Sequence, residues 1–163
     1  MTSGPDFNPV PSSVMTIRFQ DCDPFNHLNN GRYVDYFLNA REDHLLDHYG
    51  LDFYRIARET GLTWVVSTTQ VAFIRPALLM EKVAVESQLI GFGAKHVLVE
   101  MRMWNEAKTV LKACCWMTFV HFDIRKNLAL EQGPEYMELF SKIHRPVTEQ
   151  RFEERLKALK GHA

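Results

Sequence analysis

Apolar positions recur with two different periods along this chain, and the change of period divides it. Met15, Ile17 and Phe19 alternate with Thr16, Arg18 and Gln20, the period of a half-buried strand. From Tyr33 the spacing lengthens. Tyr33, Tyr36, Phe37, Ala40 and His44 fall on one face of a helix, widened by Val34, Leu38 and Leu45. The pair Asn29-Asn30 stands where an N-cap belongs, and Gly50 stops the helix with His48 in its last turn. An apolar band this wide predicts a helix wrapped on most sides. Leu51–Thr60 reads as a short helix closed by Gly61.

The period then falls to two. Strands are predicted over Trp64–Arg75, Lys82–Ile90, His96–Trp104 and Thr109–Phe122, with a short edge strand at Leu128–Leu130. Pro76, Gly91-Phe92-Gly93, Asn105-Glu106-Ala107-Lys108 and Asp123–Asn127 separate them. Gly133-Pro134 opens a helix that ends before Pro146, and a charged helix over Glu149–Lys160 carries Phe152, Leu156 and Leu159 as its stripe. The order is strand, long helix, then an antiparallel meander. Without alternating βαβ units this is α+β, and a curved antiparallel sheet around one apolar helix is the simplest way to bury both. The expected division is a loose N-terminal tail (1–13), one domain (14–146) and a charged C-terminal helix or tail (147–163).

Composition narrows the class. At 163 residues, 46% apolar and 24% charged, the chain suits one soluble domain. A net charge of -1 argues against a nucleic-acid partner. No run approaches the ~18 apolar residues of a membrane span. Three cysteines, two of them adjacent, make a poor disulfide framework, so a cytoplasmic location is expected.

Chemistry concentrates between the first strand and the long helix. Asp21, Asp23 and His27 lie in a turn that faces the unpaired amides and positive dipole end of the helix at Asn29-Asn30. A carboxylate beside amides able to stabilise an oxyanion is the apparatus of acyl transfer. Taken alone, a D-x-D turn is more often a pair of capping carboxylates. An EF-hand loop would need an oxygen ligand at Phe25, Gly at Asn26 and Glu at Arg32. An aspartate-nucleophile phosphatase would follow a buried parallel strand, and neither reading suits these residues. The other six histidines are scattered, so no metal site is expected. The aspartates flanking Cys22 would raise its pKa, which suits a small buried residue better than a nucleophile.

Asp21-x-Asp23-x-x-x-His27-x-Asn29-Asn30-x-x-Tyr33 resembles the signature of the 4-hydroxybenzoyl-CoA thioesterase family of hot-dog proteins, and Phe73-x-Arg75-Pro76 resembles that family's aromatic-x-x-Pro strand ending. The likeness spans roughly Val14 to Phe122. It implies the hot-dog fold, acyl-CoA thioester hydrolysis, and a homodimer or homotetramer with sites at the dimer interface. Asp23 matches the catalytic carboxylate, acting as general base or nucleophile, and a backbone amide near Asn30 matches the oxyanion donor. His27 would orient water or substrate, or tune Asp23; as a structural residue it would line the helix start. Asn29 would cap the helix and help to position the site, and Tyr33 would form core or pocket wall. Arg75 and Lys95 are the basic candidates for the coenzyme A phosphates, although solvated charge is the commoner role for each. No metal or redox cofactor is implied, coenzyme A entering only with the substrate, and no membrane partner. One departure stands out: many members have Gly where this chain has Asn26. The alternatives are an acyl-ACP thioesterase and a non-catalytic acyl- or aryl-CoA-binding protein.

Overall fold

A computed structural model describes residues 7–161. The strands are β1 (Ser12–Thr16), β2 (Leu62–Phe73), β3 (Lys82–Phe92), β4 (His96–Asn105), β5 (Leu111–Asp123) and β6 (Leu128–Ala129). The helices are α1 (Tyr33–Tyr49), α2 (Phe53–Thr60), α3 (Pro134–Ile143) and α4 (Phe152–Lys160). All pairings are antiparallel in one six-stranded sheet, ordered β1-β3-β4-β5-β2 with β6 beside the end of β5. The sheet curls into a half-barrel around α1. This is the hot-dog fold.

Alternation explains the main core. Val97, Val99, Met101 and Met103 of β4 point inward with Val83, Val85 and Leu89 of β3, and meet Tyr33, Tyr36, Phe37 and Ala40 of α1. The opposite face of β4 is buried as well. Glu100 is 0% exposed and Arg102 6%, because α4 lies over the outer face of the sheet. Phe152 packs there on Ile90, Cys114 and Trp116, with Leu156 and Leu159 beside it. Arg155 of α4 donates to both oxygens of Glu100 at 2.8 and 2.9 Å, and Arg102 and Trp116 donate to the same carboxylate.

Boundaries differ from expectation at several elements, among them the last helix, which starts at Phe152 rather than Glu149. β1 starts at Ser12 and ends at Thr16, so Phe19 is not on an apolar strand face; it opens a 3-10 turn, Phe19–Asp21, and is 79% exposed. The strand is displaced because its register is set by β3, where Ser12 faces Glu86 and Thr16 faces Lys82. The N-terminal segment is not loose over residues 7–11: Tyr49 donates to the Asn8 carbonyl at 2.7 Å, and Ser87 N–H donates to that of Pro11 at 3.1 Å. The rest of the expected tails, residues 1–6 and 162–163, lies outside the described residues.

Candidate active site

The segment between β1 and α1 folds into a small antiparallel ribbon. Asn29 N–H donates to the Asp21 carbonyl at 2.9 Å, Cys22 pairs with Leu28, and Asp23 N–H donates to the His27 carbonyl at 2.8 Å. Leu28 is buried, so alternation along the ribbon turns Cys22 and Leu28 inward and Asp23 and His27 outward. The ribbon is anchored on its far side, where Leu28 N–H donates to the Ala77 carbonyl and His27 pairs with Leu78. Lys112 holds that neighbouring segment, bonding the Pro76 carbonyl at 3.0 Å and Glu81 at 2.8 Å.

Asp23 is half-buried at the ribbon's tip. Its Oδ1 accepts N–H bonds from Phe25 (2.9 Å) and His27 (3.1 Å), which fixes the carboxylate and leaves Oδ2 without a hydrogen-bond partner among the described residues. Asp21 serves the scaffold. Tyr36 donates to its Oδ2 at 2.8 Å and accepts the Arg18 N–H at 3.0 Å. Burial, with Asp21 beside it, pushes the Tyr36 hydroxyl up to about 12, so it remains a donor. The Cys22 thiol is also pushed up, by burial first and then by Asp21 and Asp23, and donates to the Arg18 carbonyl at 3.3 Å.

Asn29 is the cap the sequence predicts. Its Oδ1 accepts the Gly31 N–H at 2.9 Å and opens a 3-10 turn, Asn30–Arg32, that runs into α1. Among the described residues the Asn30 N–H has no acceptor, so a free amide stands at the helix start on the ribbon that carries Asp23. Asn26 also has a physical account. Its φ is +59°, the left-handed region that glycine enters freely and Asn tolerates best among other residues. Its side chain is exposed.

Tyr33 is in the core rather than on an open wall: its ring meets Phe73 edge-on at 5.0 Å and its hydroxyl accepts the Ala77 N–H at 3.3 Å. Arg75 and Lys95 are separated within one chain. Arg75 follows β2 at the ribbon's end of the sheet, where its N–H donates to the Lys112 carbonyl; Lys95 bonds His121 at the opposite end. β5 runs between them, from Ala113 opposite Phe73 to His121, roughly 25 Å at the rise of a strand. Within a single chain the two cations therefore stand at opposite ends of the sheet. Sequence spacing does not reveal which ends of a meander coincide.

A cavity of about 150 Å³ lies between α1, α2 and the inner face of the sheet. Its walls include Leu45, Phe53, Trp64, Val99, Phe119 and Phe140. Leu38 of α1, where it begins, is about 12 Å along the helix axis from Asn30, toward the Lys95 end. Arg41 and Glu42 also line it, and the sequence reading did not single them out. A signal existed for Arg41, which follows Phe37 by four residues and so stands beside the apolar stripe.

Residues 17–149 match the thioesterase-like superfamily over most of the chain's length. The chain belongs to that superfamily. It is 28% identical over 117 residues to the long-chain acyl-CoA thioesterase FadM of Escherichia coli (strain K12), covering 71% of this chain and 86% of that protein. Two solved structures share the fold of this thioesterase-like chain. A DHNA-CoA thioesterase from Staphylococcus aureus superposes with a TM-score of 0.75 at 17% identity, covering 82% of this chain and 90% of the other. The hypothetical protein SAV2348 from Staphylococcus aureus, solved in complex with CoA, gives 0.75 at 12% identity, covering 87% and 90%. The chain is a thioester hydrolase of hot-dog fold, and among its described residues no helix is long and apolar enough to cross a membrane.

Proposed function

We propose that this protein hydrolyses acyl-CoA thioesters at the Asp23 ribbon. The observation that carries the reading is the pairing of a carboxylate locked by two backbone amides with a free amide at the helix start, on one hydrogen-bonded scaffold. Asp23 Oδ2 either takes a proton from the attacking water or attacks the thioester carbon itself, expelling the coenzyme A thiolate and forming a mixed anhydride that water then hydrolyses. In both routes the carbonyl oxygen gains charge and the Asn30 N–H, with the helix dipole behind it, stabilises it. His27 flanks Asp23 and orients water or substrate, and Asn29 fixes the amides. The acid and the coenzyme A thiol leave. These steps use only the chain's own groups, and coenzyme A enters as part of the substrate.

The working form is a homodimer joined along β2. That strand is an edge twelve residues long, and Val65 through Gln70 are all exposed. An exposed edge of this length is a template for another strand. Antiparallel pairing of two β2 edges sets the ribbon end of one chain beside the Lys95 end of the other. It would unite Arg75 of one chain with Lys95 of its partner around one coenzyme A, and would turn the partner's inner cavity toward Asp23. A cytoplasmic location accords with three cysteines free of disulfides, two of them fully buried.

The test is thiol release from short, long and aromatic acyl-CoAs by wild type and Asp23→Asn. Turnover by wild type that Asp23→Asn lacks supports the reading. Should wild type release no thiol from any CoA ester, the proposal falls, and acyl-ACP esters and plain ligand binding would be examined next. Single turnover in ¹⁸O water tests the second route, since label enters the Asp23 carboxylate only when Asp23 attacks and water then opens the anhydride at the Asp23 carbonyl.

A further inference from the structure

The inner cavity contains a charge that the fold does not balance. Arg41 is 6% exposed and lines a mainly apolar space that Glu42 also borders. Its Nη1 donates to Ser87 Oγ at 3.0 Å, and its Cζ lies 5.9 Å from the centre of the Tyr49 ring. Among the described residues no carboxylate oxygen comes within 4.0 Å of the guanidinium.

The groups behind it bring no negative charge. Ser87 Oγ is 2.8 Å from His44 Nδ1, and His44 Nε2 is 3.1 Å from Ser13 Oγ. With Arg41 donating to Ser87, the consistent arrangement has the Ser87 hydroxyl donating to Nδ1 and Nε2–H donating to Ser13. The imidazole is then neutral, in keeping with burial and the nearby Arg41 cation pushing its pKa down to about 4. The other polar groups of the wall are engaged elsewhere: Tyr54 donates to Glu42 at 2.6 Å, and Trp64 Nε1 donates to Gln132 at 2.7 Å. A buried cation without an anion is costly unless something else supplies one. Burial accordingly pushes the Arg41 guanidinium below its ordinary value.

We propose that the cavity takes the acyl group of the substrate and that Arg41 receives an acidic oxygen carried at the end of that group remote from the thioester. This rests on the thioesterase reading given above and narrows its substrate class. The volume, about 150 Å³, is of the order that holds one six-membered carbon ring. It therefore suits a short or single-ring acyl group, with the carboxylate beyond the apolar part. Glu42 at the same wall disfavours an anion anywhere but at Arg41.

The experiment compares two esters of equal chain length, adipoyl-CoA and hexanoyl-CoA, in wild type, Arg41→Met and Arg41→Lys. Methionine retains the apolar stem and removes the charge; lysine retains the charge without the planar fork. Wild type is expected to favour adipoyl-CoA in kcat/KM by tenfold or more. Arg41→Met should reverse that preference while hydrolysing hexanoyl-CoA within a few-fold of wild type, and Arg41→Lys should restore part of it. Hydrolysis of hexanoyl-CoA with no preference for adipoyl-CoA, and an unchanged ratio in Arg41→Met, overturns the inference and leaves the thioesterase reading standing. If neither ester is cleaved, binding of free adipate against hexanoate by calorimetry decides. Tighter adipate binding lost in Arg41→Met upholds the anion site without the thioesterase reading, and equal binding refutes it. Arg41→Met that melts as wild type does, yet loses only the adipate preference, separates recognition from support of the fold.

Discussion

On the outer face of the sheet Glu100 meets Arg102, Arg155 and Trp116, and α4 closes over all of them. On the inner face Arg41 is as deeply buried as Arg102, but it meets a serine hydroxyl and a tyrosine ring beside the cavity. The outer cluster is complete: its carboxylate and both guanidinium groups are paired. The inner one has its hydrogen bonds satisfied in part and its charge not at all. Buried charge that is fully paired fixes one element on another, whereas buried charge left open beside a cavity is poised for a molecule that arrives later. The ribbon belongs with the second kind, since Asp23 has one oxygen tied to amides and the other without a hydrogen-bond partner among the described residues.

If that distinction holds, substitutions should sort into those that remove activity and those that remove stability. The largest effect is expected at Asp23→Asn, with a loss of ~10²–10⁴ in kcat/KM and a melting temperature close to wild type. A variant that unfolds instead would make Asp23 a structural residue and break the contrast. Next is Glu100→Ala, which takes one of two carboxylate partners from each guanidinium and leaves Arg102 with Glu86 at 3.1 Å and Arg155 with Glu149 at 3.4 Å. Breaking a buried pair costs about 3–5 kcal/mol, and with those partners retained the loss should sit at or below the lower end, readable by urea denaturation, while kcat per folded molecule should stay unchanged.

The third prediction concerns His44 and pH. The unfolded imidazole takes its proton near 6.5 and the buried one only near 4. The unfolded state therefore binds more protons between those values. The stability contributed by the neutral His44 is complete above pH 6.5 and is lost as the pH falls toward 4, by about 3 kcal/mol. Denaturation midpoints of wild type should fall across that window, and those of His44→Gln should be flatter. Glu100 acts lower on the scale. Burial pushes its carboxyl up, but Arg155, Arg102 and Trp116 outweigh this and hold it below the usual carboxylate range, so its contribution is lost only as acid protonates it.

The smallest effect is at Asn26. Asn26→Gly should stabilise by a few tenths of a kcal/mol to about 1, and Asn26→Ala should destabilise by about 1, with thiol release nearly unaffected by either. A large change in activity would mean that the exposed amide side chain touches substrate.

These cases also mark what could be read from the residues alone. The hairpins were legible because their signals are local: alternation through β4, the Asn105–Lys108 turn, and Pro134 at the first position of α3. The helix cap was legible too, because Asn29 bonds an amide two residues away. Alternation in β4 separates Glu100 from Met101 but does not say what lies over each face, and α4 arrives from fifty residues farther along the chain to bury the polar one. Arg75 and Lys95 looked like a pair because Arg75 ends a strand just before Pro76 and Lys95 follows the Gly91-Phe92-Gly93 turn, yet the register of β5 sends them to opposite ends. Arg41 was passed over because one charge beside an apolar stripe usually extends to solvent, and here α1 is enclosed.

β2 has one further implication, for how the chain is made. Its only strand partner among the described residues is β5, and residues 74–110, including all of β3 and β4, must be synthesised before that partner begins to emerge. At about 5–20 residues per second, β2 waits for several seconds with neither edge occupied. The run Ser67-Thr68-Thr69-Gln70 at its centre interrupts the flanking valines with hydroxyl and amide groups, the kind of break that keeps an unpaired strand from joining the wrong neighbour. The middle of this strand, polar and exposed in the fold, thus offers no large apolar side chain to its surroundings while β2 stands unpaired.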